Sequence, residues 1–152
     1  NGLWGLRDAG CAEDDIILVH DGVRPLVAER IITENIEKCR KYGYAITGMI
    51  CKEAIMQKVD DCVKNIDIPR ERLVRTQTPH TYPLSTLLKA HAEADAKGID
   101  GTVASCTLMA ELGVDNQHLV MGSEKNGLKL TQTEDVELFK ALKHTTKDEW
   151  LK

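Results

Sequence analysis

Aromatic residues are scarce: two tryptophans, three tyrosines and one phenylalanine make up 4 % of the 152 residues, so any core must be aliphatic. No hydrophobic stretch approaches the roughly twenty residues needed to cross a bilayer, which excludes a membrane span. No run of five like charges occurs and the formal net charge is −4, which argues against a nucleic-acid partner, whose footprint is normally basic. No Cys-x-x-Cys pair is present. The five cysteines, Cys11, Cys39, Cys51, Cys62 and Cys106, are odd in number and widely spaced. That pattern fits neither a disulfide frame nor a zinc site and points to reduced thiols, hence to a cytoplasmic location. A signal peptide, internal repeats and low-complexity segments are all missing. So is an initiator methionine, and the sequence opens inside what reads as a helix, so the expectation is a piece of something longer.

What is present is enough for one domain with a real core. Asn1 to Gly10 reads as a helix end with Gly10 as its C-cap. Ile16 to Val19 is a continuous apolar run, the mark of a strand covered on both faces. Ala28 to Tyr42 carries an apolar stripe at Ala28, Ile31, Ile32, Ile36 and Cys39 and closes at Gly43, which predicts a helix. Tyr44 to Cys51 follows as a second strand, and strand, helix, strand in that order predicts a largely parallel sheet with flanking helices, an α/β fold.

The pattern then breaks. Ala54 to Val59 and Cys62 to Ile66 read as a hairpin turning at Asp60-Asp61, with few core-quality residues, and residues 54–75 are therefore expected to form an inserted arm. "RERLVRTQT", between Pro69 and Pro79, is a further strand candidate. Pro83 to Lys97 predicts a helix ending at Gly98, and Thr102 to Leu112 a shorter one ending at Gly113. His118 to Met121 and Leu128 to Leu130 look like strands. Thr131 and Glu134 have capping-box spacing at the start of a last helix running to about Lys143.

The chemistry gathers at "IILVHDGVRPLV", Ile16 to Val27, where a buried strand ends in His20-Asp21-Gly22 with Arg24 beyond. Ligands of α/β sheets bind past the carboxyl ends of the strands. Asp21 there suits a divalent cation, and the planar fork of Arg24 suits phosphate oxygens. An acid for a metal and an arginine for phosphate are what phosphoryl or nucleotidyl transfer needs. A turn built on Asp21-Gly22, with Asp21 paired to Arg24, explains the same residues, and spacing alone leaves both readings open.

"VHDGVRPLV" resembles the "hDxxRP" signature of the cytidylyltransferases that make CDP-linked polyols, the 2-C-methyl-D-erythritol 4-phosphate and ribitol-5-phosphate enzymes. "NGL" at the start, "RERLVRTQTPHTYP" (70–83) and "NGLKLTQTEDVELFKAL" (126–142) resemble further segments of that family in order and spacing. The resemblance implies a Rossmann-like nucleotidyltransferase fold, here one partial domain over residues 1–152 that lacks the first strands, with the 54–75 arm serving dimerisation. It implies CTP and a polyol phosphate as substrates, Mg²⁺ as cofactor, and a homodimer. It makes Asp21, Arg24 and Lys129 catalytic, with Asp21 also holding the metal and Lys129 approaching the α-phosphate of CTP. It makes Arg70, Thr78 and Thr102 contacts for the polyol, Arg70 reaching the neighbouring subunit. His20 is expected to be a structural hydrogen-bond partner, because a phosphate oxygen ionised at pH 7 needs no base to attack.

The sequence departs from the family at three places. The glycine-rich nucleotide loop and the cytosine-reading residues are absent, so residues 1–152 alone are expected to be inactive. The Thr-Asp pair of the methylerythritol enzymes falls on Val103 and Ala104, with Thr102 one place early, and a proline of the closing motif is Thr133. Gly22-Val23 stands nearer the ribitol type. 2-C-methyl-D-erythritol 4-phosphate is the first expectation, because its pathway is the more widespread in bacteria, and ribitol 5-phosphate is the alternative. A non-catalytic dimerisation module and a related pyrophosphorylase using another base are the competing hypotheses.

Overall fold

The computed structural model describes residues 2–145; Asn1, the first residue of the expected opening helix, lies outside them. The elements run α1 (Gly2–Asp8), β1 (Ile16–Val19), α2 (Glu29–Tyr42), β2 (Ala45–Ile50), β3 (Gln57–Val59), β4 (Cys62–Lys64), a 3-10 turn at Arg70–Arg72, β5 (Val74–Pro83), α3 (Leu84–Lys97), α4 (Ser105–Glu111), β6 (His118–Met121), α5 (Glu124–Gly127) and α6 (Thr133–Thr145). Gly43 and Gly98 close α2 and α3 at φ +90° and +65°, a region where any side chain would be strained.

Four strands form the main sheet in the order β1-β5-β2-β6. β2 and β6 are parallel, whereas β5 runs antiparallel to both β1 and β2. The sheet is therefore mixed, which corrects the expectation of a largely parallel one. β1 and β2 do point the same way, as strand–helix–strand order requires, but β5 lies between them. The β3–β4 hairpin turns the chain back before β5 begins, and a reversed chain enters the gap antiparallel.

α2 covers one face of the sheet through Ile31, Cys39, Ala45 and Val120, with Ile16 and Val27 packed against them. On the other face Tyr82, Leu87, Ala90 and Met109 join α3 and α4 to Ile17, Val19 and Ile46. The alternation of Ile16 and Ile17 between these clusters follows from the two-residue period of a strand, and aliphatic burial of this kind contributes about 25 cal/mol per Å² removed from water. Beneath α2 the buried Asn35 amide donates to Ile31 O (2.7 Å) and to Thr47 Oγ1 (2.8 Å), while the Thr47 hydroxyl donates to Pro79 O (2.8 Å).

Three further expectations are corrected. Pro79 sits inside β5 instead of ending a strand. It is tolerated because the β2–β5 register jumps from Ile46↔His80 to Thr47↔Gln77, leaving Thr78 and Pro79 without ladder partners. Leu128 to Leu130 is not a strand, since its backbone is engaged elsewhere: Leu130 N–H donates to Val23 O (2.8 Å). The cap of α6 is Asp135, not Glu134; its Oδ2 accepts from Thr131 N–H (2.8 Å) and Gln132 N–H (2.8 Å). The hairpin stands apart as its own two-stranded sheet, with Ile55, Met56, Val59 and Val63 exposed.

Candidate active site at the end of β1

β1 ends at Val19, and the chain immediately makes a turn in which Arg24 N–H donates to Asp21 O (2.9 Å). The turn brings the two side chains together: Arg24 Nε donates to Asp21 Oδ2 (3.0 Å). The turn reading of these residues is thus correct as far as it goes. Lys129, arriving from the other end of the sequence, adds a second cation to the same oxygen, Nζ to Oδ2 at 3.4 Å. It is delivered there by the Leu130–Val23 backbone bond, in an extended segment and not in a strand.

Thr78, freed from the ladder, reaches across from β5. Its hydroxyl accepts from Asp21 N–H (3.0 Å) and is bonded to His20 Nδ1 (3.1 Å). His20 Nε2 lies 3.0 Å from Arg24 O. A carbonyl can only accept, so Nε2 carries a proton; in the neutral ring Nδ1 then accepts and the Thr78 hydroxyl donates to it. Both ring nitrogens are occupied by this chain of bonds, which assigns His20 to holding the loop.

The Arg24 fork is only partly free. Its Nη1 donates to Gly127 O (2.6 Å) and more weakly to Asn126 O (3.4 Å), at the end of α5, and the side chain is 13 % exposed. Asp21 is one third exposed, and both of its cationic contacts fall on Oδ2. Partial burial pushes the Asp21 carboxyl up, but the Arg24 hydrogen bond and the Lys129 charge outweigh it and hold the group below the ordinary carboxylate value.

The other sequence-assigned residues stand apart from this cluster. Thr102 lines a largely apolar hollow with Leu3, Val19, Leu87 and Ser105, which reaches the end of β1. Arg70 lies in the 3-10 turn between β4 and β5, donating to Lys52 O (3.2 Å) and paired with Glu71 (3.6 Å), beside a different hollow lined by Ile55, Met56 and Ile68. Asn126 and Gln77, both buried beneath the cluster, are not singled out by the sequence although they lie in the family-like segments 70–83 and 126–142. Two glycines, Gly122 and Gly127, placed around a buried amide, are the only local signal they leave, and it is visible only once the segments are packed together.

The family model described as 2-C-methyl-D-erythritol 4-phosphate cytidylyltransferase (IspD) matches residues 4–144. Ribitol-5-phosphate cytidylyltransferase of Lacticaseibacillus paracasei is 42 % identical over 134 residues, covering 86 % of this chain and 56 % of that protein. 2-C-methyl-D-erythritol 4-phosphate cytidylyltransferase of Acidobacterium capsulatum is 37 % identical over 136 residues, covering 88 % of this chain and 56 % of that protein. The chain thus spans about half the length of these curated relatives. Among solved structures, the 2-C-methyl-D-erythritol 4-phosphate cytidylyltransferase of Thermus thermophilus superposes with a TM-score of 0.77 at 26 % identity, over 94 % of this chain and 68 % of that one.

Proposed function

The chain belongs to the 2-C-methyl-D-erythritol 4-phosphate cytidylyltransferase family, and from that membership we propose that the cluster of Asp21, Arg24 and Lys129 serves the transfer of a cytidylyl group from CTP to a polyol phosphate, with release of pyrophosphate. The observation that carries the reading is the meeting of two cations on one carboxylate oxygen at the end of β1, joined from segments more than a hundred residues apart in sequence.

In this reaction an oxygen of the polyol phosphate forms a bond to the α-phosphorus of CTP as the bond to the bridging oxygen breaks, and the leaving pyrophosphate takes the electron pair. The attacking oxygen is already ionised at neutral pH. The work of the protein is therefore positioning and charge neutralisation. Lys129, half exposed, is the cation that meets the α-phosphate. Arg24 keeps Asp21 oriented and offers its remaining Nη2 edge to phosphate. Thr78 and His20 fix the Asp21 backbone, so the carboxylate stays aimed as charge shifts.

Mg²⁺ fits Asp21 on chemical grounds. The carboxylate is ionised and partly exposed, and its Oδ1 is unengaged among the described residues. Because the described residues hold no group of three or more potential ligands, a bound Mg²⁺ would rely on Asp21 together with substrate phosphates. When bound, the ion would offset negative charge on the triphosphate. For the assembly, the exposed apolar residues of the 54–75 arm (Val63 is 65 % exposed) support a homodimer in which the arm and Arg70 serve the neighbouring site. All five cysteines are free, which suits a reducing cytoplasm.

The polyol has two readings. The matching family model supports 2-C-methyl-D-erythritol 4-phosphate. The 42 % identical relative supports ribitol 5-phosphate, as does Val103-Ala104 at the place of a polar pair. The test is product formation by the full-length form with CTP, Mg²⁺ and each polyol phosphate in competition, followed by phosphorus NMR. A CDP-polyol from either substrate supports the reaction class and identifies the polyol. No CDP-polyol from either refutes the proposal.

A further inference from the structure

Gln77 and Asn126 are polar residues buried where an aliphatic pair would be expected, 2 % and 0 % exposed. Burying two amides is costly unless they are paired; both amide nitrogens and the Gln77 oxygen have partners, while Asn126 Oδ1 has none. Gln77 Nε2 donates to Ser123 O (2.9 Å), and Gln77 Oε1 accepts from Asn126 Nδ2 (2.9 Å). The same Asn126 nitrogen donates to Thr78 O (3.1 Å), and Asn126 N–H donates to Ser123 Oγ (3.1 Å).

The short helix α5 is fitted around this amide. A Cβ on Gly122 would collide with Gln77 Oε1, and one on Gly127 would lie 2.8 Å from Gln77 Nε2. Neither glycine has a positive φ, so what a side chain at either position would disturb is the hydrogen-bonded Gln77 amide and not the backbone conformation. Between them, the carbonyls of Asn126 and Gly127 receive Arg24 Nη1. A merely space-filling residue at position 77 would need no such cradle and would leave α5 free to slide along β5.

We infer that Gln77 is a positioning residue for the catalytic cluster: by locking α5 on β5 it places the two carbonyls that hold Arg24 against Asp21. The inference rests on the cytidylyltransferase reading of that site. Gln77 touches no reacting atom itself. It acts through Arg24, and through Asn126 it also steadies Thr78, which anchors Asp21 from the other side.

The test uses the full-length form with Gln77→Met, nearly isosteric and unable to make either bond. The kcat for CDP-polyol formation should fall about 10- to 100-fold, as for a small misplacement, with the KM for CTP within about twofold. The Nε–H resonance of Arg24 should shift. In a cycle with Arg24→Lys, the two losses should be far from multiplicative, because both remove one link. A wild-type kcat, an unmoved Arg24 resonance, or losses that multiply independently would each overturn the inference. If Gln77→Met does not fold, Gly127→Ala presses a methyl on the Gln77 amide from outside the core, and the same three readouts and outcomes apply to it. If the unsubstituted protein makes no CDP-polyol, the cytidylyltransferase reading fails, while the Arg24 resonance still decides the role of Gln77.

Discussion

Replacing Thr78 by valine in the full-length form removes one oxygen and little volume, and it isolates the bond that fixes the Asp21 backbone. Thr78 is 9 % exposed, and its hydroxyl both accepts from Asp21 N–H (3.0 Å) and serves His20 Nδ1 (3.1 Å). With valine, the amide loses its acceptor and the imidazole nitrogen its donor. Leaving a buried polar group unpaired costs about 1–3 kcal/mol, and these part-buried groups fall at the lower end, which for a domain of this size lowers Tm by roughly 2–4 °C. Serine at the same place restores the hydroxyl and should recover most of the loss. Turnover should fall about tenfold or more in the valine variant, since the carboxylate is no longer aimed, and recover with serine. Thermal melts and steady-state kinetics of the three proteins decide the matter. A valine variant that melts and turns over like the parent would show that water reaches Asp21 N–H and that Thr78 anchors nothing.

Three other outcomes follow from the same geometry. His80 is buried and held neutral, burial pushing its pKa down from 6.5 to about 4. Its contribution to stability is complete above the unfolded value and declines as pH falls through that window, by roughly 1.4 kcal/mol per pH unit; acid melts of His80→Gln should lose this slope, and an unchanged profile would contradict the burial argument. Lys129→Met should lower kcat/KM about 10- to 100-fold as a lost charge contact, while Tm, measured in parallel, stays put because an exposed pair contributes little. Mixing Arg70→Ala and Asp21→Ala chains should restore some activity in heterodimers, one site then having both residues, whereas no recovery despite proven subunit exchange would remove Arg70 from the neighbour's site.

α2 and α3 were legible because each carries its own stop and stripe: both end on glycines with positive φ and their apolar faces repeat at helical spacing, whereas the four-residue α5 is too short to show a stripe and was not legible. The sheet was less so. Ile16–Val19 and Ala45–Ile50 read correctly as strands, but nothing local in them reports that β5 will pass between them, since strand order depends on where the arm returns the chain. Leu128 to Leu130 imitates a strand by alternation, yet its amide is taken by Val23 O, a contact over a hundred residues that no window contains. The site divides in the same way. Asp21 and Arg24 are three apart and pair as spacing allows, while Lys129 joins them only through the fold. Gln77 and Asn126 were invisible as site residues because their importance lies in each other.

Cytidylyl transfer by the Asp21 cluster is the proposal most open to a direct test. Single-turnover mixing of the full-length form with CTP, Mg²⁺ and the accepted polyol phosphate, comparing Asp21→Ala with the unsubstituted protein, tests it most directly. A pyrophosphate burst is expected that needs both substrates and falls by at least about 100-fold in the variant, the scale for a key transition-state charge contact, with the fold retained but the melting temperature lowered, because the largely buried Arg24 loses its carboxylate and keeps only the carbonyls of Asn126 and Gly127. A variant that releases pyrophosphate at the unsubstituted rate would return Asp21 to the role of a turn residue and contradict the account.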